Sequence, residues 1–184
     1  MTVLCLTMCS EIETKLKVDS HQPIEATLEQ LGAEFIEVQL QTDEYFDDIN
    51  RTFTKQDKCL RLRSQKADDK HTLFLTYKGP KEKHQIKIRP EIKIQITNAD
   101  DAQKLLLALG YKRMMTVQKK RTLWKFNQCD IALDELPLLG TFVEIEGPDA
   151  KTIEEVKTML NLGHLPHIRQ SYACLMEKHS SQRI

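Results

Sequence analysis

The chain has 184 residues, a length that suits one domain, or two tightly joined halves, around a real hydrophobic core. Its 27 lysine and arginine residues balance 27 aspartate and glutamate residues, so a net charge of zero excludes a global attraction to nucleic acid or to an anionic membrane. Five scattered cysteines without CxxC pairs predict free thiols and a reducing cytoplasm rather than a zinc site.

The first ten residues, MTVLCLTMCS, are apolar, but they lack a basic segment and are too short for a secretory signal or a membrane span. We expect a loose tail over residues 1–10, with Met8 as an alternative start. No later run approaches the length of a membrane span, which predicts a soluble protein without a membrane partner.

The first regular segment, EIETKLKV at 11–18, has the two-residue period of a β-strand. One side carries only charge and the other is mainly apolar: Glu11, Glu13, Lys15 and Lys17 oppose Ile12, Thr14, Leu16 and Val18. In an open sheet such a charged face would simply meet water. Whether it does so here depends on the segments that follow.

Three helices are predicted from their caps and their apolar period. They run from about Pro23 to Leu31, from after Asn98 to Leu109 and from near Asp149 to Leu160, each ended by a glycine: Gly32, Gly110 and Gly163. The residues predicted to face a core are Ile24, Leu28 and Leu31; Ala102, Leu105, Leu106 and Leu109; and Ile153, Val156 and Leu160. These stripes are typical of packing rather than of a binding groove.

Between the helices, charged residues recur at every second position. Such positions are Arg61 and Arg63; Lys87, Arg89, Glu91 and Lys93; Lys119 and Arg121; Asp130 and Asp134; and Glu144 and Glu146. Strands with only one apolar side close most naturally into a sheet or barrel, so we predict a largely antiparallel body of about eight strands with helices outside.

The types of charge favour an enclosed face over a solvated one. Arginine, lysine and glutamate recur in sets, and Glu-x-Glu occurs at 11/13 and at 144/146. Two neighbouring carboxylates on a strand repel each other unless a cation lies between them, and oxygen-only ligands favour Mg²⁺ or Mn²⁺ over zinc. The bases need an anion with several charges, such as a triphosphate. A merely solvated sheet is the alternative, because surface pairs of glutamates are common in antiparallel strands.

In these segments the sequence resembles the CYTH family, the triphosphate tunnel enzymes that include class IV adenylate cyclases and thiamine triphosphatases. The resemblance covers essentially the whole chain. In order, it rests on Glu-x-Glu-x-Lys at 11–15, QTDEYFDD at 41–48, LRLR at 60–63, YKGP at 77–80, Arg89-x-Glu91, Lys119-x-Arg121 followed by Trp124, LDELPLLGTFVEIEG at 133–147, and Arg169 with Ser171 and Tyr172. One departure is Pro90, because a proline within a strand usually marks an edge or a bulge.

The resemblance implies a mainly β protein with outer helices. Its single domain, over residues 11–178, would be an eight-stranded antiparallel closed barrel with a charged, hydrophilic tunnel, followed by a tail over 179–184. The implied ligands of Mg²⁺ or Mn²⁺ are Glu11, Glu13, Asp134, Glu144 and Glu146. The implied triphosphate contacts are Lys15, Arg61, Arg63, Lys78, Arg89, Lys119, Arg121 and Arg169. The residues expected to be catalytic are Glu11, Glu13, Lys15, Lys78 and Arg121.

The implied substrate is a small-molecule triphosphate, and two reactions fit it. In a cyclase the ribose 3′ oxygen of ATP attacks the α-phosphorus and pyrophosphate leaves, whereas in a triphosphatase water attacks the terminal phosphorus. KGP at 78–80, LGY at 109–111, KKRTLW at 119–124 and RQSY at 169–172 favour the bacterial class IV cyclase branch. A non-catalytic triphosphate-binding module is the third hypothesis. The sequence does not favour a nucleic-acid partner, and it leaves open a homodimer.

Histidine and aromatic residues have plainer interpretations. His164 and His167 have nearly the spacing of metal ligands. Because they have no cysteine partner and a proline lies between them, we predict a loop here rather than a zinc site. Tyr45, Trp124 and Tyr172 are candidates for contact with an organic ring, although aromatic residues in strands more often pack.

Overall fold

The computed structural model describes residues 9–181. Its strands are β1 (Cys9–Val18), β2 (Glu34–Asp47), β3 (Cys59–Ala67), β4 (Lys70–Lys78), β5 (Lys87–Ile96), β6 (Lys112–Phe126), β7 (Cys129–Leu136) and β8 (Gly140–Glu146). Its helices are α1 (Gln22–Gln30), α2 (Thr52–Lys55), α3 (Ala99–Ala108), α4 (Ala150–Met159) and α5 (Tyr172–Ser181).

The strands form a closed barrel in the order β1-β5-β4-β3-β2-β6-β7-β8, and each neighbouring pair is antiparallel, which confirms the predicted fold class. Residues opposite each other in a ladder point to the same face of the sheet. Glu13 of β1 lies opposite Glu146 of β8, and Lys15 lies opposite Glu144. The charged faces therefore share one side of the sheet, and closure turns that side inward.

The hydrophobic core lies outside the barrel, between the strands and the helices. Leu16 of β1 and Val143 of β8 are fully buried in one cluster with Leu28 of α1 and Val156 of α4. A smaller cluster lies under α3 around Leu106. The charged faces of the strands are thus enclosed rather than turned to open solvent, and the solvated-sheet alternative does not hold.

The three predicted helices are present, and two of them start at the predicted caps. The side chain of Asn98 accepts hydrogen bonds from the amides two and three residues later, at 2.9 and 3.2 Å. Asp149 caps α4 in the same way, at 2.8 Å from Thr152 N. Each cap satisfies amide groups that have no partner within the first helical turn.

The inward faces of two helices are narrower than predicted. Leu105 of α3 is 57% exposed and Leu109, just after α3, is 63% exposed. Leu31, just after α1, is 37% exposed, so the prediction that these three face a core is wrong. α3 contacts the barrel through Leu106, and a leucine-rich helix has more apolar side chains than one line of contact can bury.

The end of α4 also differs from the prediction. The helix ends at Met159, and Asn161 takes the left-handed conformation with φ 58°, so Gly163 is not its terminator. Glycine is the usual residue at this position, but asparagine tolerates the same backbone conformation. The helix therefore stops before the glycine is reached.

Two helices, α2 and α5, were not predicted. α2 depends on Asp47 at the end of β2, whose carboxylate accepts hydrogen bonds from the amides of Phe53 and Thr54, both at 2.9 Å. α5 begins at Tyr172, in the last of the segments that resemble the family. Neither helix is marked by a long apolar period, so tertiary contacts rather than local pattern position them.

Pro90 lies inside β5 without breaking the barrel. Its carbonyl accepts a hydrogen bond from Gly79 N at 2.8 Å, just beyond the last β4 residue in the ladder, Lys78. A Cβ at Gly79 would be 2.6 Å from Pro90 Cγ, so the glycine of YKGP is needed for this close approach. The register across β1 is continuous here, with Glu11 opposite Arg89.

The ends of the described range differ slightly from the predicted domain limits. β1 begins at Cys9, so it includes the last two residues of the predicted tail, and α5 reaches Ser181, beyond residue 178. The predictions for Met1, Cys5 and Met8 lie outside the described residues. Cys59, Cys129 and Cys174 are free cysteines. Each helix between residues 9 and 181 is too short or too polar to cross a membrane.

Candidate active site

A cavity of about 560 Å³ lies inside the barrel. Nine basic and five acidic side chains line it: Lys15, Arg61, Arg63, Lys78, Lys87, Arg89, Lys93, Lys119 and Arg121, with Glu11, Glu13, Glu91, Glu144 and Glu146. Two further carboxylates, Asp43 and Asp134, are buried beside these bases. The tunnel therefore carries an excess of positive charge, although the whole chain is neutral.

Glu11, Glu13 and Glu146 form what we call the acid group, because one carboxylate oxygen from each lies within 4.8 Å of the others. Glu11 and Glu13 follow each other on the inward face of β1, and the β1–β8 register brings Glu146 beside them. Partial desolvation, together with the negative charges of Glu11 and Glu13, raises the pKa of Glu146 to about 7. A hard divalent cation would relieve this repulsion and prefers such oxygen donors.

Two lysines contact the acid group. Lys78 lies against Glu11 and 2.7 Å from Glu91, while Lys87 lies against Glu13 and 3.5 Å from Glu11. Burial alone would raise the pKa of Glu11, but the charges of Lys87 and Lys78 hold that pKa below its ordinary value. Lys87 and Glu91 were not among the predicted site residues. The alternating pattern had placed both residues on the charged face of β5. A pattern within one strand does not show which side chains of other strands they contact.

Asp134 and Glu144 are paired with bases instead of joining the acid group. The fully buried Asp134 carboxylate accepts hydrogen bonds from Lys119 Nζ at 2.9 Å and from Arg121 Nε and Nη2, both at 2.6 Å. Glu144 contacts the Arg121 guanidinium and lies 3.2 Å from Lys15 Nζ. The structure thus brings three of the five predicted metal ligands together and places the other two among the predicted phosphate contacts.

The ion pairs around Asp134 shift the pKa values of their members. Burial and the neighbouring Arg121 lower the pKa of Lys119 to about 7, although Asp134 and Glu144 oppose this change. Burial alone would lower the pKa of Arg121, but Asp134 and Glu144 raise it well above its ordinary value. Arg121 therefore stays charged, and Lys119 holds its proton less firmly than an ordinary lysine.

Arg61 and Arg63 share one buried carboxylate, Asp43. Arg63 makes a two-point contact, with Nε 2.6 Å from Oδ1 and Nη2 2.7 Å from Oδ2, and Arg61 Nη1 lies 3.6 Å from Oδ2. Burial alone would raise the pKa of Asp43, but the two arginines hold it well below its ordinary value. Asp43 belongs to QTDEYFDD, a segment that the sequence singled out without giving this residue a role.

Arg89 and Arg169, both predicted phosphate contacts, donate to backbone carbonyl groups. Arg89 Nε lies 2.8 Å from Gly79 O and Nη2 lies 2.9 Å from Asp57 O, so this side chain lines the tunnel and also holds the β4–β5 connection. Arg169 Nη2 lies 2.8 Å from Glu82 O. Its side chain lines a second cavity of about 520 Å³ that shares part of its wall with the tunnel.

The histidine and aromatic residues fall into two groups. His164 and His167 lie in the loop between α4 and α5, as predicted. Trp124 is buried in the apolar cluster outside the barrel, which confirms the packing interpretation. Tyr45 and Tyr172 instead line the tunnel.

Known sequences and structures resemble this chain over nearly its whole length. The family model described as the CYTH domain matches residues 10–171. A Methanocaldococcus jannaschii protein named as a proposed adenylate cyclase is 32% identical over 171 residues, which are 88% of this chain and 95% of that protein. Adenylate cyclase CyaB of Aeromonas hydrophila is 25% identical over 178 residues, 91% of this chain and 89% of that protein. The solved structure of a Pyrococcus horikoshii protein has a TM-score of 0.79 at 31% identity and covers 91% of this chain and 99% of its own.

Proposed function

The chain belongs to the CYTH family, and from that premise we propose that it is an adenylate cyclase that converts ATP to cyclic AMP and pyrophosphate with Mg²⁺ or Mn²⁺. One observation carries the proposal: an enclosed tunnel sets three carboxylates within 4.8 Å of one another and surrounds them with bases. Such a site balances a metal ion and a triphosphate together. The names of the Methanocaldococcus and Aeromonas relatives support the choice of a cyclase.

The acid group would hold the metal ion. Its donors are carboxylate oxygens, which suit Mg²⁺ or Mn²⁺. Two observations support this fit: the raised pKa of Glu146 reports repulsion within the group, and Glu11 Oε2 has no hydrogen-bond partner among residues 9–181. When bound, the ion supplies charge compensation on the phosphate oxygens.

The bases would bind and orient the triphosphate. As the 3′ oxygen of the ribose bonds to the α-phosphorus, the bond from that phosphorus to the bridging oxygen breaks, and pyrophosphate leaves with the electron pair. Arg121 and Arg61 would stabilise the charge on the departing pyrophosphate, which would also take up the hydroxyl proton. Enclosure would keep out the water that competes with the ribose oxygen.

A triphosphatase is the second candidate, because the same charged wall serves both reactions. Water would attack the terminal phosphorus and orthophosphate would leave. The excess of positive charge along the tunnel favours a linear polyphosphate and does not by itself select a nucleoside. A non-catalytic module, which binds a polyphosphate without turnover, is the third candidate.

Product analysis separates these three candidates. The pure protein is incubated with ATP, thiamine triphosphate or inorganic tripolyphosphate, each with Mg²⁺ or Mn²⁺, and the products are identified by chromatography. Cyclic AMP with pyrophosphate supports the cyclase. Orthophosphate with the matching diphosphate rejects the cyclase and supports the triphosphatase, and calorimetric binding of tripolyphosphate without any product supports the binding module.

The remaining expectations stay predictions. They are a cytoplasmic location, a small-molecule triphosphate substrate, no nucleic-acid or membrane partner, and a homodimer as an open alternative to the monomer. Light scattering on the purified protein measures the last of these directly.

A further inference from the structure

The C-terminal part of the described chain contributes to the tunnel wall through Tyr172, the first residue of α5. Its hydroxyl donates a hydrogen bond of 2.7 Å to Asp134 Oδ2, and its side chain lines the tunnel cavity. Asp134 already accepts from Lys119 and Arg121. The tyrosine therefore completes the set of donors around a carboxylate that is inaccessible to water.

The ring of Tyr172 also contacts ammonium groups. Lys15 Nζ lies 3.9 Å from the ring centroid and Lys119 Nζ lies 4.8 Å from it, both within the range of a cation–π contact. The ring also packs edge to face against Phe142, with 5.3 Å between centroids. The ring thus contacts both the apolar cluster and two bases of the tunnel.

The hydroxyl of Tyr172 is protonated in this environment. Burial raises its pKa well above the ordinary value, and the neighbouring Glu144 and Asp134 add to the effect, so the hydroxyl keeps its proton and donates a hydrogen bond to Asp134. Gln170, two residues earlier, also contacts the tunnel wall, since its backbone carbonyl accepts a hydrogen bond of 3.0 Å from Lys15 Nζ.

We propose that Tyr172 is a positioning residue of the triphosphate site, which fixes Lys15, Lys119 and Arg121 at the spacing in which they meet a polyanion. The inference rests on the proposed function and names a residue that acts through those bases rather than on the substrate. The hydroxyl sets the orientation of Asp134, and through it the positions of Lys119 and Arg121. The ring sets the positions of the two ammonium groups.

Binding of inorganic tripolyphosphate with Mg²⁺, measured by isothermal titration calorimetry, tests the inference. Tyr172→Phe removes only the hydroxyl and is expected to weaken binding about tenfold, the effect of one hydrogen bond to a charged group. Tyr172→Leu also removes the ring and is expected to weaken binding further. If the protein turns over ATP, both variants should raise KM more than they lower kcat.

Two control variants separate positioning from simple packing. Leu175→Ala loosens the contact of α5 with its apolar cluster without touching Asp134, and Tyr111→Phe alters a tyrosine outside the tunnel. Both should retain the parent affinity, although Leu175→Ala should lower the melting temperature. Equal affinity for the parent and Tyr172→Phe would overturn the inference, as would a Leu175→Ala loss as large as that of Tyr172→Phe.

The same measurements distinguish this inference from the proposed function. A parent protein that binds tripolyphosphate but turns over no triphosphate rejects the enzyme, while the Tyr172 comparison still decides the positioning role. A parent protein that neither binds tripolyphosphate nor turns over a triphosphate overturns both.

Discussion

Glu146 differs from the two other members of the acid group in its surroundings. Lys78 and Lys87 contact Glu11 and Glu13, whereas Glu146 is more exposed and has a pKa raised to about 7. Whether the Glu146 carboxylate is charged near neutral pH therefore depends on whether a cation is bound to the acid group. This makes the acid group sensitive both to protons and to cations.

Metal binding should weaken as the pH falls below about 7. The raised pKa means that Glu146 holds a proton below this pH, and the proton must leave before the carboxylate ligates an ion. With one proton released for each ion, the apparent Kd for Mn²⁺ should rise about tenfold per pH unit on the acid side. Calorimetry in buffers of different ionisation enthalpy measures both the affinity and the released proton. An affinity that stays constant across neutral pH would contradict this expectation.

Removal of one charge from the acid group should abolish turnover. Glu13→Gln and Glu146→Gln each keep the size of the side chain and remove a metal ligand, so we expect rates at least about a hundredfold lower. Circular dichroism should show an unchanged fold, because neither residue belongs to the apolar core. Glu135→Gln, on an exposed position of β7, is the control. Near-normal rates in either acid-group variant would mean that the ion is held elsewhere.

The sequence identified which side chains enter the tunnel better than it identified their partners. Alternation predicted the inward face of Lys87 and Glu91, and a family pattern pointed to Asp134 as a metal ligand. In the structure Asp134 accepts from Lys119, Arg121 and Tyr172. Pairings of this kind depend on register between strands far apart in the chain, and no local period carries that information.

Strands were predicted more securely than short helices for a related reason. The two-residue period repeats within each strand, so it can be read locally, whereas α2 depends on the Asp47 carboxylate at the end of β2. α5 likewise depends on Tyr172, which is anchored in the tunnel. Elements that depend on one side-chain contact leave little trace in a periodic pattern.

The close approach of β4 and β5 at Gly79 and Pro90 can be tested by substitution. Gly79→Ala should lower the free energy of unfolding by about 1–3 kcal/mol, because the new Cβ would lie 2.6 Å from Pro90 Cγ. Gly163→Ala is the matched control, since its nearest neighbour would be Thr158 Oγ1 at 3.8 Å, an ordinary contact. Urea unfolding measures both changes. If the double variant Gly79→Ala/Pro90→Ala recovered none of the loss, the clash would not be its cause.

Across the whole molecule, the apolar and charged parts are separated by the wall of the barrel. The apolar clusters lie between strands and helices, and the tunnel inside the barrel is lined by ionisable side chains among which bases outnumber acids. An excess of like charge in a confined space opposes the compact state. A bound polyanion neutralises the excess charge, so ligand binding should increase the free energy of unfolding.

Tripolyphosphate with Mg²⁺ should therefore stabilise the fold. At about one hundred times its Kd, a ligand that binds only the native state adds about 2.7 kcal/mol, which raises the melting temperature by several degrees. Arg61→Met should reduce the shift, since Arg63 still pairs with Asp43 in this variant and the fold is retained. Lys125→Met, at an exposed position of β6, should leave the shift unchanged. A melting temperature that does not respond to the ligand would refute the linkage.

The closure of the barrel has a consequence for how the protein is made. β1 pairs with β5 and with β8, and the amide of Ile168 donates to the carbonyl of Lys15 at 2.8 Å. A chain leaving the ribosome therefore cannot complete its first strand until nearly all later ones have emerged, and contacts so distant in sequence form slowly. An incomplete chain therefore cannot form the closed tunnel, and the protein becomes able to bind its ligand only in one late folding step.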